Sequence, residues 1–172
     1  MKHPSKWTTF HESVNRISLF ILILILLFIS SCKSTPDLTE DDIYEIVNEI
    51  IRDDSISITK VCPKFEELTL KTEYEREFTK LDIEFIRNQQ DIFKNLIIMP
   101  NKLKTFGMSF IYLEIDTACK YSTHISFPLI SKNRRKVIIQ FDQLGHWGGE
   151  FLYEKKNDGR WTRIKEFSIR IY

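Results

Sequence analysis

Beyond an almost unbroken apolar run from Ile17 to Ile29, the spacing of hydrophobic residues changes twice along the chain. Ile43, Ile46, Val47, Ile50 and Ile51 recur at steps of three and four, the period of a helix with one buried stripe. Thr39 stands where a hydroxyl caps free backbone N–H groups, and Glu40, Asp41 and Asp42 place negative charge at the positive end of the helix dipole. Asp53-Asp54-Ser55 ends the segment, because acids oppose the dipole at a helix C-terminus and these residues favour turns. Ile56, Ile58 and Val61 alternate with polar residues and allow a short strand before Pro63. Thr79-Lys80-Leu81-Asp82 repeats the capping signal and opens a second helix over 81–96. There Leu81, Phe85, Ile92, Phe93 and Leu96 share one broad face that the pattern directs at a core, and Pro100 closes the segment.

After Pro100 the period becomes two. Met108, Phe110 and Tyr112 form a β-branched and aromatic stretch with their neighbours, and Ile125, Phe127 and Leu129 form another in which Pro128 marks an edge or a strand end. Val137, Ile139 and Phe141 follow, then Phe151 and Tyr153. Lys156-Asn157-Asp158-Gly159 supplies a hairpin turn, and Trp161, Ile164, Phe167, Ile169 and Ile171 read as a last strand. Helices first and strands afterwards predict an α+β domain, with one or two helices packed on one face of an antiparallel meander of about four or five strands. Cystatin-like and cone-shaped sheets are versions of this arrangement.

The run Ile17 to Ile29 falls short of the roughly 20 apolar residues that span a bilayer. Lys2, Lys6 and Arg16 precede it against a single acid, Glu12, and Ile29-Ser30-Ser31-Cys32 follows it directly. A positive flank, an apolar stretch and small residues before a cysteine resemble the signal peptide and lipobox of bacterial lipoproteins. That resemblance implies cleavage before Cys32, acylation of Cys32 and attachment to a membrane through the acyl chains, with residues 1–31 as signal peptide, 32–38 as tether and 39–172 as one domain. Lys33 follows the cysteine in place of the aspartate that retains some lipoproteins at the inner membrane, so the resemblance points to the outer membrane of a bacterial envelope.

Residues 1–31 hold three of the 25 basic and one of the 24 acidic residues, so the remainder is nearly neutral. Lys132, Arg134, Arg135 and Lys136 read as a solvated hairpin tip, not a stripe that neutralises nucleic-acid phosphates, and no nucleic-acid partner is expected. Once Cys32 is assigned to lipid, Cys62 and Cys119 remain and admit two readings: a disulfide of an exported protein, or two buried free thiols.

Asp142-Gln143-Leu144-Gly145-His146-Trp147-Gly148-Gly149 concentrates an acid, an imidazole, an indole and three of the five glycines, and is the best local site candidate. Asp142 or His146 would accept a proton and Trp147 would stack on a ligand. The structural reading, in which glycines shape a hairpin and the indole caps a core, is favoured. His124 and His146 lack the spacing of a zinc pair, and Cys119 near Asp116 and His124 has little support as a nucleophile. Glu66-Glu67 and Asp41-Asp42 read as surface or helix-start acids. No catalytic, cofactor or metal constellation is assigned.

Ser126-Phe127-Pro128-Leu129-Ile130-Ser131, Lys136-Val137-Ile138-Ile139, Gly148-Gly149 and Asp158-Gly159-Arg160-Trp161 are similar to segments of small exported lipoproteins of Bacteroidota. The similarity implies an envelope protein and a sheet fold but transfers no reaction. The expected function is a lipid-anchored, non-enzymatic module that binds a protein or envelope component. The alternatives are a small hydrolase or ligand-binding enzyme using the 142–149 loop, and an immunity lipoprotein that neutralises a toxin.

Overall fold

The computed structural model describes residues 37–104, 114–120, 122–143 and 146–171, which form one unit starting at Asp37. The expected signal peptide, most of the tether and the strand expected at Met108 to Leu113 lie outside the described residues. In chain order the elements are α1 (Glu40–Asp53), β1 (Lys60–Val61), α2 (Thr72–Glu75), α3 (Lys80–Phe93), β2 (Glu114–Ile115), β3 (Thr123–Ile125), β4 (Leu129–Ile130), β5 (Lys136–Gln143), β6 (Trp147–Lys155) and β7 (Trp161–Ile171). The strands join in one sheet of order β2-β1-β3-β5-β6-β7, with β4 pairing β5 beyond β3.

This is an α+β fold, with two corrections to the expectation. Among the described residues the sheet has seven strands instead of four or five, and it is mixed, because β1 pairs parallel with both β2 and β3 while β3 to β7 are antiparallel. Strands β1, β2 and β4 have two residues each, too few to show a period of two. The helices also cover both faces instead of one. Val137, Ile139 and Phe141 of β5 and Phe151 and Tyr153 of β6 pack with the apolar stripe of α1. Ile138, Leu152 and Leu129 point the other way, into a second cluster with Leu68, Tyr74, Phe78 and Ile86 from the α2–α3 region. Strand β5 therefore buries successive residues, Val137, Ile138 and Ile139, which explains its continuous apolar sequence.

Helix α1 forms where the pattern places it, and Thr39 and Asp42 make a reciprocal capping box. Its terminal acids, unfavourable to the helix dipole, are consumed by the β6–β7 hairpin. Glu49 accepts from Lys155 Nζ at 2.7 Å and Trp161 Nε1 at 2.9 Å, and Asp53 accepts from Trp161 N at 2.8 Å. Asp54 accepts from Tyr153 Oη at 2.6 Å and from the Arg163 guanidinium. Burial, the largest influence on the Tyr153 phenol, pushes its pKa up, and the Asp54 carboxylate adds to the shift.

Helix α3 also carries its capping box, between Thr79 and Asp82, but ends at Phe93, well before Pro100. Its inward face differs from the expectation: Ile86 and Gln89 are buried, Phe85 and Phe93 are partly buried, and Leu81 and Ile92 are 64% and 57% exposed. Asp82 accepts from Lys132 N at 2.8 Å, so the first turn is anchored to the β4–β5 hairpin through the middle of the inward face. At about 100° per residue that anchor turns Leu81 and Ile92 roughly a quarter turn outward.

On the α2 side of the sheet, Glu150 is 7% exposed yet charged, because Lys71 Nζ donates to it at 2.9 and 3.1 Å and Tyr74 Oη donates as well. Burial alone would raise its pKa, but the hydrogen bonds from Tyr74 and Lys71 outweigh that effect and hold the carboxyl below the usual glutamate range. A depressed folded-state pKa stabilises the fold above the unfolded value of about 4.3 and loses that contribution as pH falls through the folded value. Stability is therefore expected to drop as pH is lowered from 5 toward 3. Glu150→Gln should cost about 2 kcal/mol at pH 7 and flatten that drop, as urea unfolding at several pH values would show.

Candidate functional site

Segment 62–67 is strapped into the sheet on both sides. Cys62 N donates to Thr123 O at 3.1 Å, Glu66 N to Ile125 O at 2.9 Å and Phe127 N to Glu66 O at 2.7 Å, while Ile98 N donates to Pro63 O at 2.8 Å. The strap presents Phe65 beside Phe127, and the C-terminal half of α3 brings Phe93. Phe93 stacks on Phe127 with centroids 5.9 Å apart, and Phe65 meets Phe127 edge-on at 6.4 Å. These rings floor a cleft of about 450 Å³. Its rim carries cations Lys64, Arg87 and Lys94, acids Glu66, Glu67 and Asp91, and the amide of Gln90. Gln90 Nε2 donates to Leu68 O at 2.8 Å and Arg87 pairs with Glu75 at 2.9 Å, so these two rim groups are positioned by neighbours. Among the described residues, Lys64 and Lys94 make no ion pair.

A disulfide joins Cys62 to Cys119, with their Cα atoms 4.9 Å apart across 57 residues of chain. In the chain-entropy description, closing a loop of this length stabilises the fold by about 4 kcal/mol. Cys119 adopts a left-handed φ of 54°, following a turn in which Asp116 accepts from Ala118 N and Lys120 N at 3.0 Å each. His124 links this loop to the cleft, with Nε2 3.0 Å from Cys119 O and Nδ1 2.5 Å from Glu66 Oε1. A carbonyl and a carboxylate both accept, so the His124 ring is held between two acceptors within the fold. It acts here as a brace between the disulfide loop and the Glu66 rim.

The three candidates in the 142–149 loop do not converge. Asp142 is 8% exposed on the α2 side of the sheet, opposite His124 in register and 3.4 Å from Arg170. Trp147 packs against the cluster under α1, its ring 6.5 Å from Phe151. Period-two alternation thus puts the acid and the indole on opposite faces, and His146 lies exposed in the turn between them. Leu144 and Gly145 lie outside the described residues. Gly148 leaves room for the Asp142 carboxylate, since a Cβ there would stand 2.4 Å from Oδ1, and Gly149 leaves room for the Phe151 ring in the same way. Gly148 and Gly149 thus admit neighbouring side chains of the sheet. Gln143 and Trp147 do line a second, more open hollow of about 570 Å³ with Arg163 and Ile169.

Sequence reasoning missed the aromatic cleft. Phe65, Phe93 and Phe127 come from three segments with no common spacing, and Glu66 read as an ordinary surface acid. Among the described residues, no three of His, Cys, Asp and Glu gather as a metal-ligand set.

Replacing Gly148 with Ala should destabilise the domain by about 1–3 kcal/mol through contact with Asp142, and Trp147→Ala should cost about 2 kcal/mol. His146→Ala should stay within about 0.5 kcal/mol of the parent protein; urea unfolding of the three variants checks the assignment. No protein-family model, no curated protein and no solved structure matches this chain.

Proposed function

We propose that this chain is an exported domain of a bacterial envelope, held to the membrane by lipid on Cys32, that binds a protein or other envelope component through the cleft between α3 and residues 64–67. The observation that carries the reading is the aromatic floor of Phe65, Phe93 and Phe127 under a rim of both charge signs. Such a floor accepts one apolar anchor of a partner, while the mixed rim matches a protein surface better than a polyanion. The Cys62–Cys119 disulfide supports the exported location, because disulfides persist outside the reducing cytosol. Lys33 after the acylated cysteine supports the outer membrane. A binding role is favoured over hydrolysis by His124, whose ring is held between two acceptors within the fold.

The test is crosslinking and affinity capture of the tagged full-length protein from native envelopes, with Cys32→Ala as the unanchored control. Lys64→Glu with Lys94→Glu, and separately Phe93→Ala, alter the rim and the floor. Each is expected to reduce the captured partner at least about tenfold, the size of a typical interface anchor. The two lysine changes should leave melting unchanged, since neither side chain is paired. Capture that is indifferent to all three changes would remove the cleft from the account, and a single stoichiometric partner would favour the toxin-immunity form of the reading.

A further inference from the structure

The tether enters the domain at its basic hairpin tip. Asp37 is the first described residue, and its carbonyl oxygen accepts from Arg134 Nη2 at 3.3 Å, while Arg134 Nη1 pairs with Asp42 in the first turn of α1 at 2.8 Å. The same tip holds the first turn of α3 through the Lys132 N to Asp82 bond. One end of the domain therefore gathers the β4–β5 turn with Lys132, Arg134, Arg135 and Lys136, the start of α3 with Lys80 and Leu81, and the point where the chain arrives from Cys32. Arg135 donates to Lys155 O and Asn157 Oδ1, and Lys136 donates to Glu77 O, while the Glu154 carboxylate, opposite Lys136 across the sheet, interacts with both charges. Among the described residues, Lys80 and Lys132 are exposed and make no ion pair. The acids at this end include Asp37, Glu40, Asp41, Asp42, Asp82 and Glu154, of which Glu40 and Asp41 pair with Lys102 and Glu154 with Lys156. Asp42 and Asp82 are already engaged, each in a capping box, with Arg134 on Asp42 and Lys132 N on Asp82. Leu81 stands among these cations, 64% exposed.

We infer that this end is a membrane-contacting surface that takes anionic phospholipid headgroups, with Lys80, Lys132 and Arg135 at the phosphates and Leu81 at the interface. The inference rests on acylation of Cys32. Four residues lie between Cys32 and Asp37, and five extended residue steps span at most about 18 Å. An acylated Cys32 thus confines Asp37 to the layer next to the headgroups, where the face around it meets lipid first. Positive charge at the bilayer surface is drawn to anionic lipid, and the attraction decays within a Debye length. Turning the tip downward also leaves the aromatic cleft, at the opposite end of α3, clear of the surface.

The test is hydrogen exchange of the full-length acylated protein in vesicles of phosphatidylcholine alone and of equal parts phosphatidylcholine and phosphatidylglycerol. Amides of residues 79–83 and 131–136 are expected to exchange several-fold more slowly on the anionic vesicles, and those of residues 87–93, at the opposite end of α3, at the same rate on both. Lys80→Glu with Lys132→Glu should abolish the difference without changing melting, and added salt should weaken it. Equal exchange on the two vesicle types, or slowing confined to another surface, overturns the inference. Flotation with the neutral vesicles separates the two levels of the argument. Protein that floats but shows no lipid-dependent protection removes the contact surface and leaves the anchor, whereas protein that fails to float removes the anchor and the surface with it.

Discussion

Burial of β5 on both of its faces is the constraint from which the rest of the domain follows. A strand whose successive residues Val137, Ile138 and Ile139 are all removed from water needs an apolar layer above and below it. The amphipathic α1 supplies one layer, and the irregular stretch of Leu68, Tyr74 and Phe78 with α3 supplies the other. Each layer is then fixed by charge. Three acids of α1 hold the β6–β7 hairpin, Lys71 and Tyr74 hold Glu150, and Asp82 holds the β4–β5 turn. The carboxylates that look excessive for two short helices are the means by which those helices are oriented.

The cleft arises at the seam of this arrangement. Segment 62–67 must cross from β1 to the α2 side, and it does so tied to β3 on one flank and to residues 97–98 on the other. Cys62 N, Pro63 O and both Glu66 backbone groups are engaged in that way, and the side chains around Phe65 line the cleft. The disulfide and His124 brace this segment from behind. A rigid strap carrying aromatic side chains is a low-entropy recognition surface, because little order remains to be imposed on binding. The candidate site is thus a consequence of how the parallel edge of the sheet is closed.

Legibility followed the length and regularity of each element. Both capping boxes, the stripe of α1, the strands β5 to β7 and the turn at Gly159 were readable, because each repeats a local rule over enough residues. The two-residue strands were not, and with them went the parallel pairing and the sheet size. The inward face of α3 was misread because an apolar count favours Leu81 and Ile92, whereas a polar anchor at Asp82 decides the rotation. At the site, the loop with the most chemically suggestive residues has its acid and indole turned to opposite faces. The residues that do converge, Phe65, Phe93, Phe127, Glu66 and His124, are joined by tertiary structure alone.

We propose an exported domain whose cleft is braced by the Cys62–Cys119 disulfide and whose Cys32 carries lipid. The most direct measurement is the intact mass of the protein isolated from its own cells, after alkylation without reductant. The account predicts a chain starting at Cys32, heavier by the attached acyl groups, with no alkyl group on Cys62 or Cys119. A chain that retains residues 1–31 and takes an alkyl group on all three cysteines would contradict it.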